Sequence, residues 1–140
     1  MAVETHRIQV KTRGDNEVVD LTPRLIEVLA KGMISEGVAT LFVIGSTAGI
    51  TTTEFEPGLV KHDLKHYFNK LAPEDAHYEH EATWGDDNGH AHVRASLLGP
   101  SLSVPVVKGR ATLGQWQQVV LIDFDTRPRA REVVVQVVGD

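Results

Sequence analysis

A chain of 140 residues is long enough to enclose a core of its own, and 41% hydrophobic against 24% charged residues separates it from disordered and fibrous chains. A net charge of −5 with scattered Lys and Arg argues against reading nucleic acid through its phosphates, and the absence of cysteine excludes disulfides, Cys-bound zinc and a thiol nucleophile. No apolar run approaches the ~20 residues of a membrane span, and residues 1–10 lack a signal-peptide core, so the expectation is a cytoplasmic protein with no nucleic-acid or membrane partner.

Arg7 to Lys11 alternates polar and apolar residues, as a strand with one buried face does. Gly14-Asp15-Asn16 reads as a turn, and Glu17 to Asp20 as a short return strand. Thr22-Pro23 is a helix start, with Thr22 placed to cap free amides and Pro23 suited to the first helical position. Leu25, Ile26, Leu29, Ala30 and Met33 then form an apolar stripe that Gly32 and Gly37 bring to an end. Val38 to Ile44 is nearly all apolar and predicts a strand buried on both faces. The small residues from Gly45 to Gly49 interrupt it before Thr51-Thr52-Thr53 resumes an extended course.

Glu56-Pro57-Gly58 starts a second helix, with Leu59, Leu64, Tyr67, Phe68 and Leu71 near one face and Pro73 at its end. Residues 74–90 show no period and predict a long loop of the kind that often carries function. Ala91 to Leu98 suits a short helix stopped by Gly99-Pro100. The rest is β-rich: Ser101 to Val107, where Pro105 argues for an edge or a bulge, then Gln115 to Phe124 and Arg131 to Val138 around a turn at residues 125–128. The fold class expected is α+β: a single domain over residues 1–140, a largely antiparallel sheet or sandwich, and two or three helices.

Chemistry concentrates between His77 and His92, which hold four of the seven histidines. Imidazole and carboxylate are the usual ligands of Zn²⁺, Mn²⁺ or Fe²⁺. A chain that bends back through Gly85 and Gly89 can set His80 beside His92 and one of Asp86 and Asp87. His90 and His92 are two apart, so both meet one ion only if that segment is extended. Ser46 and Thr47 lie in a run of small residues that either cradles phosphate with backbone amides or forms a β-bulge; it is not a P-loop. Glu54 and Glu56 would share a strand face, Glu54 being either a buried acid with a role or a surface charge. Arg94, Ser96, Ser101, Lys108 and Arg110 are anion-binding candidates, with an ordinary surface role as the alternative for each. Trp84 and Trp116 can line a pocket, although Trp116, just before an apolar strand, reads better as core.

Taken in order, the segments Gly45-Ser46-Thr47-Ala48-Gly49-Ile50-Thr51-Thr52, Glu56-Pro57-Gly58, Tyr78-Glu79-His80, Gly85-Asp86-Asp87-Asn88-Gly89-His90-Ala91-His92, Ala95 to Ser101, Gly109-Arg110 and Gly114-Gln115-Trp116-Gln117 give the chain a specific resemblance. It resembles the YjbQ-like family, which is associated with secondary thiamine-phosphate synthase activity. The resemblance covers nearly the whole chain and is most specific from Tyr78 to Trp116. It implies an α+β sandwich-like homotrimer with a divalent metal (Zn, Mg or Mn) bound through histidines near subunit boundaries. The implied reaction joins a pyrimidine methyl pyrophosphate to a thiazole phosphate and releases pyrophosphate.

His80 and His92 match the family's motif histidines, Asp86 and Asp87 its paired acids, and Arg110 and Trp116 its Gly-Arg and Trp-Gln signatures. Many relatives carry histidine where this chain has Gly45; His90 or water would take that place. The expected site therefore has His80, His90 and His92 on the metal. Asp86, Asp87, Glu54, Arg94 and Arg110 are the catalytic candidates, and Ser46, Thr47, Ser101 and Trp116 the substrate contacts. The expected function is a metal-dependent enzyme on phosphorylated small molecules. Its rivals are a non-catalytic trimer that binds metal or a phosphometabolite, and a metal-assisted hydrolase.

Overall fold

Two antiparallel sheets organise the chain in the computed structural model, which describes all 140 residues. The larger sheet has the order β1-β8-β3-β5-β6, formed by β1 (Ala2–Thr12), β8 (Arg129–Gly139), β3 (Gly37–Ile44), β5 (Ser101–Val107) and β6 (Arg110–Ala111). The smaller has the order β2-β7-β4, formed by β2 (Glu17–Asp20), β7 (Gln118–Asp123) and β4 (Ala48–Thr53). Four α-helices complete the chain: α1 (Thr22–Lys31), α2 (Leu64–Leu71), α3 (Glu79–Trp84) and α4 (Gly89–Leu98). A π-helical turn over Leu59–Asp63 runs directly into α2. The α+β class and antiparallel pairing are as expected, with one helix more than the two or three expected, because residues 79–84 are helical rather than part of a long loop.

The main core lies between the sheets. Ile8, Leu41, Val43, Val133 and Val135 from the large sheet meet Ile50, Val119 and Leu121 from the small one, and Leu25 and Leu29 of α1 close one side. A second, smaller core lies on the other face of β7, where Val120, Ile122 and Phe124 pack on Ala91 and Ala95 of α4 and on Phe68 of α2. The strand buried on both faces is therefore β7, not β3. In β3 burial alternates, with Ala39, Leu41 and Val43 inside and Val38, Thr40, Phe42 and Ile44 outside. No helix covers that outer face, so an apolar run did not mean two buried sides.

Local chemistry explains the joints. Gly14, Asp15 and Asn16 all take positive φ in the β1–β2 turn, a conformation that Gly, Asp and Asn tolerate best. The start of α1 differs from the expected cap. Thr22 is itself the first helical residue, its amide donates to Asp20 Oδ1 at 2.9 Å, and its hydroxyl accepts from the Val119 amide at 2.8 Å. Thr22 thus ties α1 to β7. Glu56 caps the second helical segment, accepting from the amides of Gly58 and Leu59. Pro105 stands where the edge strand β6 gives out; its carbonyl accepts from Thr112, so its missing donor also faces the sheet's open edge. No helix is long and apolar enough to cross a membrane.

Candidate functional site

Helices α3 and α4 are joined by residues 85–88, and this corner gathers the chemistry. Gly85 ends α3 in the left-handed region at φ 68°, its amide bonded to the Glu81 carbonyl at 2.7 Å. That reversal folds α4 back so that the His80 and His92 rings lie 4.5 Å apart, centroid to centroid, tilted by 60°. His92 Nδ1 lies 3.1 Å from the Ser46 carbonyl oxygen. A carbonyl only accepts, so Nδ1 carries the proton and Nε2 keeps its lone pair.

His80 Nε2 stands 3.3 Å from Asp86 Oδ1. With its amide oriented for hydrogen bonding, Asn88 donates to both Asp86 oxygens and to His80 Nε2, each at 3.2 Å. The result is a small knot of lone pairs from one imidazole and one carboxylate, with a second imidazole beside it. Asn88 itself is buried.

Beneath the corner is a buried ionic network that the sequence reading passed over. Arg131 grips Asp123 with two bonds, Nε to Oδ2 at 2.7 Å and a terminal nitrogen to Oδ1 at 2.9 Å. Arg131 also donates to the Thr47 hydroxyl at 2.6 Å, and Thr47 donates on to Asp125 Oδ2 at 2.9 Å. Thr12 adds a bond to Asp123 at 2.6 Å, and Arg129 one to Asp125 at 2.9 Å. Burial alone would raise the Asp125 carboxyl, but the bonds from Thr47, the Thr126 amide and Arg129 outweigh it and hold it below the usual carboxylate range. The signal for this network was present: Asp123 and Asp125 flank Phe124 at the end of an otherwise apolar strand, and three arginines, Arg127, Arg129 and Arg131, follow within eight residues.

The remaining candidates are dispersed. His90 is 2% exposed and sits on the opposite side of α4 from His92, near Tyr78 and 3.9 Å from Glu74 Oε1. It does not join His80 and His92, because residues two apart on a helix face away from one another. Burial first, then the Arg94 charge, hold its pKa below the ordinary value. Arg94 is 0% exposed and donates to the Ala72 carbonyl, Asn16 and Asn69, so it is a brace between helices and turn rather than an anion clamp.

Asp87 accepts from the Thr126 hydroxyl at 2.8 Å at the rim. Ser46 contributes its carbonyl to His92, whereas the Thr47 side chain points into the buried network. Glu54 is exposed at the end of β4, Ser101 is exposed at the start of β5, and Arg110 lies on β6 away from the histidines. Trp116, expected in the core, is 67% exposed in the loop before β7, and Trp84 is 74% exposed at the end of α3.

Comparison with known proteins places these features in context. The model of the family described as "UPF0047 protein YjbQ-like" matches residues 6–140. A UPF0047 protein of Methanocaldococcus jannaschii is 34% identical over 134 residues, covering 96% of this chain and 94% of that protein. YugU of Bacillus subtilis is 33% identical over 133 residues, covering 94% and 97%. Among solved structures, a hypothetical protein of Aeropyrum pernix superposes with a TM-score of 0.90 at 31% identity, covering 98% of this chain and 99% of that one. A YbjQ-like protein of unknown function from Sulfolobus solfataricus gives 0.89 at 28% identity, covering 99% and 100%.

Proposed function

The chain belongs to the UPF0047 YjbQ-like family, and from that premise we propose that it is a metal-dependent enzyme acting on phosphorylated small molecules, centred on His80, His92 and Asp86. The observation that carries this reading is the pairing of the two imidazoles, 4.5 Å apart, with one of them oriented by a backbone carbonyl. A histidine whose Nδ1 proton is held by a carbonyl presents Nε2 outward as a ligand or a base.

The donor chemistry fits a divalent ion in kind. The knot of His80 Nε2 and the Asp86 oxygens accepts the Asn88 amide protons, and imidazole nitrogen and carboxylate oxygen are also the donor types that bind divalent cations. It falls short in number, since no three His, Asp or Glu side chains stand together in metal-holding geometry. Substrate oxygens, water or a second copy of the chain would complete the shell. A bound divalent ion would supply charge neutralisation to a leaving phosphate or pyrophosphate. The chain's own part is to orient His92 through Ser46, to hold Asp86 through Asn88, and to fix both over the Asp125–Thr47–Arg131 network.

Thiamine-phosphate synthesis is the candidate reaction, and a homotrimer with the site near a subunit boundary is part of the proposal. The uncovered outer face of the large sheet, with Val38, Phe42 and Ile44 exposed, supports assembly. Because Arg94 is committed inside the fold and is not free to clamp a pyrophosphate, a metal-assisted hydrolase, in which an ion held by His80, His92 and Asp86 would activate water, is the second reading.

Metal content of the tag-free protein by mass spectrometry, beside a His80→Ala/His92→Ala variant shown by circular dichroism to be folded, tests the centre. Near-stoichiometric metal in the wild type and its loss in the variant are expected. The pyrimidine pyrophosphate and thiazole phosphate, given together, should yield metal-dependent thiamine phosphate that His92→Ala fails to make. Equal product from both proteins, or no metal after incubation with divalent ions, rejects the assignment. Phosphate release from simple esters without thiamine phosphate selects the hydrolase.

A further inference from the structure

A second cavity, of about 500 Å³, opens between α1 and the segment that follows β5. Its size is that of a small-molecule site. Ile26, Leu29 and Ala30 of α1 form one wall, and Ala111 and Leu113 another. Lys108 and Arg110 stand at the rim, and no carboxylate lines the cavity itself, Glu36 lying behind Lys108 on its backbone amide. On a chain of net charge −5 this is a local concentration of positive charge beside an apolar wall.

The rim is held in place rather than loose. Lys108 (φ 51°) and Gly109 (φ 70°) make the tight two-residue connection between Val107 and Arg110, the left-handed pair that hairpin turns require. The Lys108 amide donates to Glu36 Oε1 and the Gly109 amide to the Ser35 carbonyl, both at 2.9 Å. Across the cavity mouth, Gln117 is fixed by two bonds, to the Gly114 amide and to the Thr52 hydroxyl, each 3.0 Å.

This cavity and the histidine corner occupy opposite ends of the small sheet. β4 pairs antiparallel with β7, with Ala48 opposite Asp123 at the histidine end and Thr53 opposite Gln118 at the cavity end. Ser46, which holds His92, and Thr52, which holds Gln117, are six residues apart, roughly 20 Å at the rise of a strand. A small molecule seated here does not reach the histidines of the same copy.

We infer that the cavity between α1 and the Lys108–Gln118 segment is a binding site for a small organic anion, with an apolar ring against Ile26, Leu29 and Leu113 and its phosphate or carboxylate on Lys108 and Arg110. It stands independently of the metal reading of the histidine corner.

The test is a titration of the ¹⁵N-labelled full chain with phenyl phosphate in the presence of a chelator, followed by amide shifts, with benzoate, benzyl alcohol and inorganic phosphate as parallel arms. Saturable shifts centred on residues 26–30 and 108–118 are expected with phenyl phosphate or benzoate, and whichever saturates at lower concentration names the headgroup. Benzyl alcohol and inorganic phosphate should each bind about tenfold or more weakly, because each lacks one half of the recognition. Lys108→Asn/Arg110→Gln, in which Asn tolerates the left-handed backbone, should weaken phenyl phosphate about tenfold, and Ala30→Phe should block it sterically. Shifts centred on the histidine corner or on the outer face of the large sheet, unaltered binding by both variants, or no shift with either aromatic anion, overturn the inference.

Discussion

Histidines 80, 90 and 92 lie within thirteen residues, yet they divide between two environments, and the division follows from helix geometry. Once residues 89–98 are helical, His90 must turn inward where His92 turns outward. The sequence showed the donors and the bend at Gly85 but not the start of α4 at Gly89, and that boundary decided which histidine left the cluster. The consequence for His90 is measurable. Burial and the Arg94 charge keep it neutral, against weaker opposition from Glu74, Asp87 and Glu81, so its folded pKa lies below the unfolded 6.5. Below that pH the unfolded chain binds the proton more readily, so the stability His90 contributes is complete above about pH 6.5 and is lost as pH falls through its lowered value. Melting temperature should therefore fall on acidification from about pH 7 to about pH 5. His90→Gln should flatten that slope. Identical slopes in urea or thermal melts would assign the effect to other groups.

Gly45 shows the same dependence on neighbours. Its φ of 137° and the Arg131 guanidinium, 2.6 Å from where a Cβ would sit, leave no room for a side chain on this backbone. The glycine at the head of the Thr-rich segment is thus coupled to the buried Arg131–Asp123 pair. Nor does His90 join His80 and His92, since it faces Glu74 and Tyr78. The coupling of Gly45 is not visible in a sequence, because Arg131 and Asp123 lie 86 and 78 residues from it in the chain.

At the scale of elements, turns and helix starts were legible because Gly, Pro, Asn and Asp act locally, as at residues 14–16 and 22–23. Burial was not, because it depends on what covers a face: β3 and β7 are both apolar, but only β7 has helices on its far side. The joint between α3 and α4 offers a test where propensity and packing disagree. Gly89 is helical, and by propensity alone alanine there would stabilise α4 by up to about 1 kcal/mol. A Cβ at that position would meet Tyr78 Cβ at 2.5 Å and Cγ at 2.8 Å. Tyr78 precedes α3, and its hydroxyl is anchored on the Pro73 carbonyl at 2.6 Å, so it has little room to yield. Gly89→Ala should destabilise the protein by about 1–3 kcal/mol in denaturant melts, and by pushing α3 from α4 it should weaken metal retention at His80 and His92. A stabilised variant with unchanged metal content would show that the contact relaxes freely.

For the molecule as a whole, the antiparallel α+β architecture was readable because every strand carries its own signal. The pairing that brings Asp123 and Thr47 beneath the histidines was not, since register is a long-range property. The same topology leaves the large sheet with one bare face. Phe42 is 47% exposed and Ile44 48%, and Val38 on the same strand is 43% exposed, while Val134 stands opposite Phe42 and Val138 opposite Val38 on β8. Thr40 and Gln136 separate the Val38–Val138 pair from the Phe42–Val134 pair, and association of like faces removes both apolar patches from water. Sedimentation equilibrium should therefore give a multiple of the 15.4 kDa chain mass, three for the proposed trimer. Phe42→Lys/Ile44→Lys should shift it toward one, since like charges brought together on a desolvated face oppose assembly. β3 also runs straight into residues 45–47, which hold His92 and the Arg131 network. If the proposed metal site at the histidine corner is completed across a subunit boundary, the dissociated variant will keep its fold by circular dichroism yet lose metal and any turnover together. A monomeric variant with full activity would confine the site to a single chain and leave the bare face with a purely architectural role.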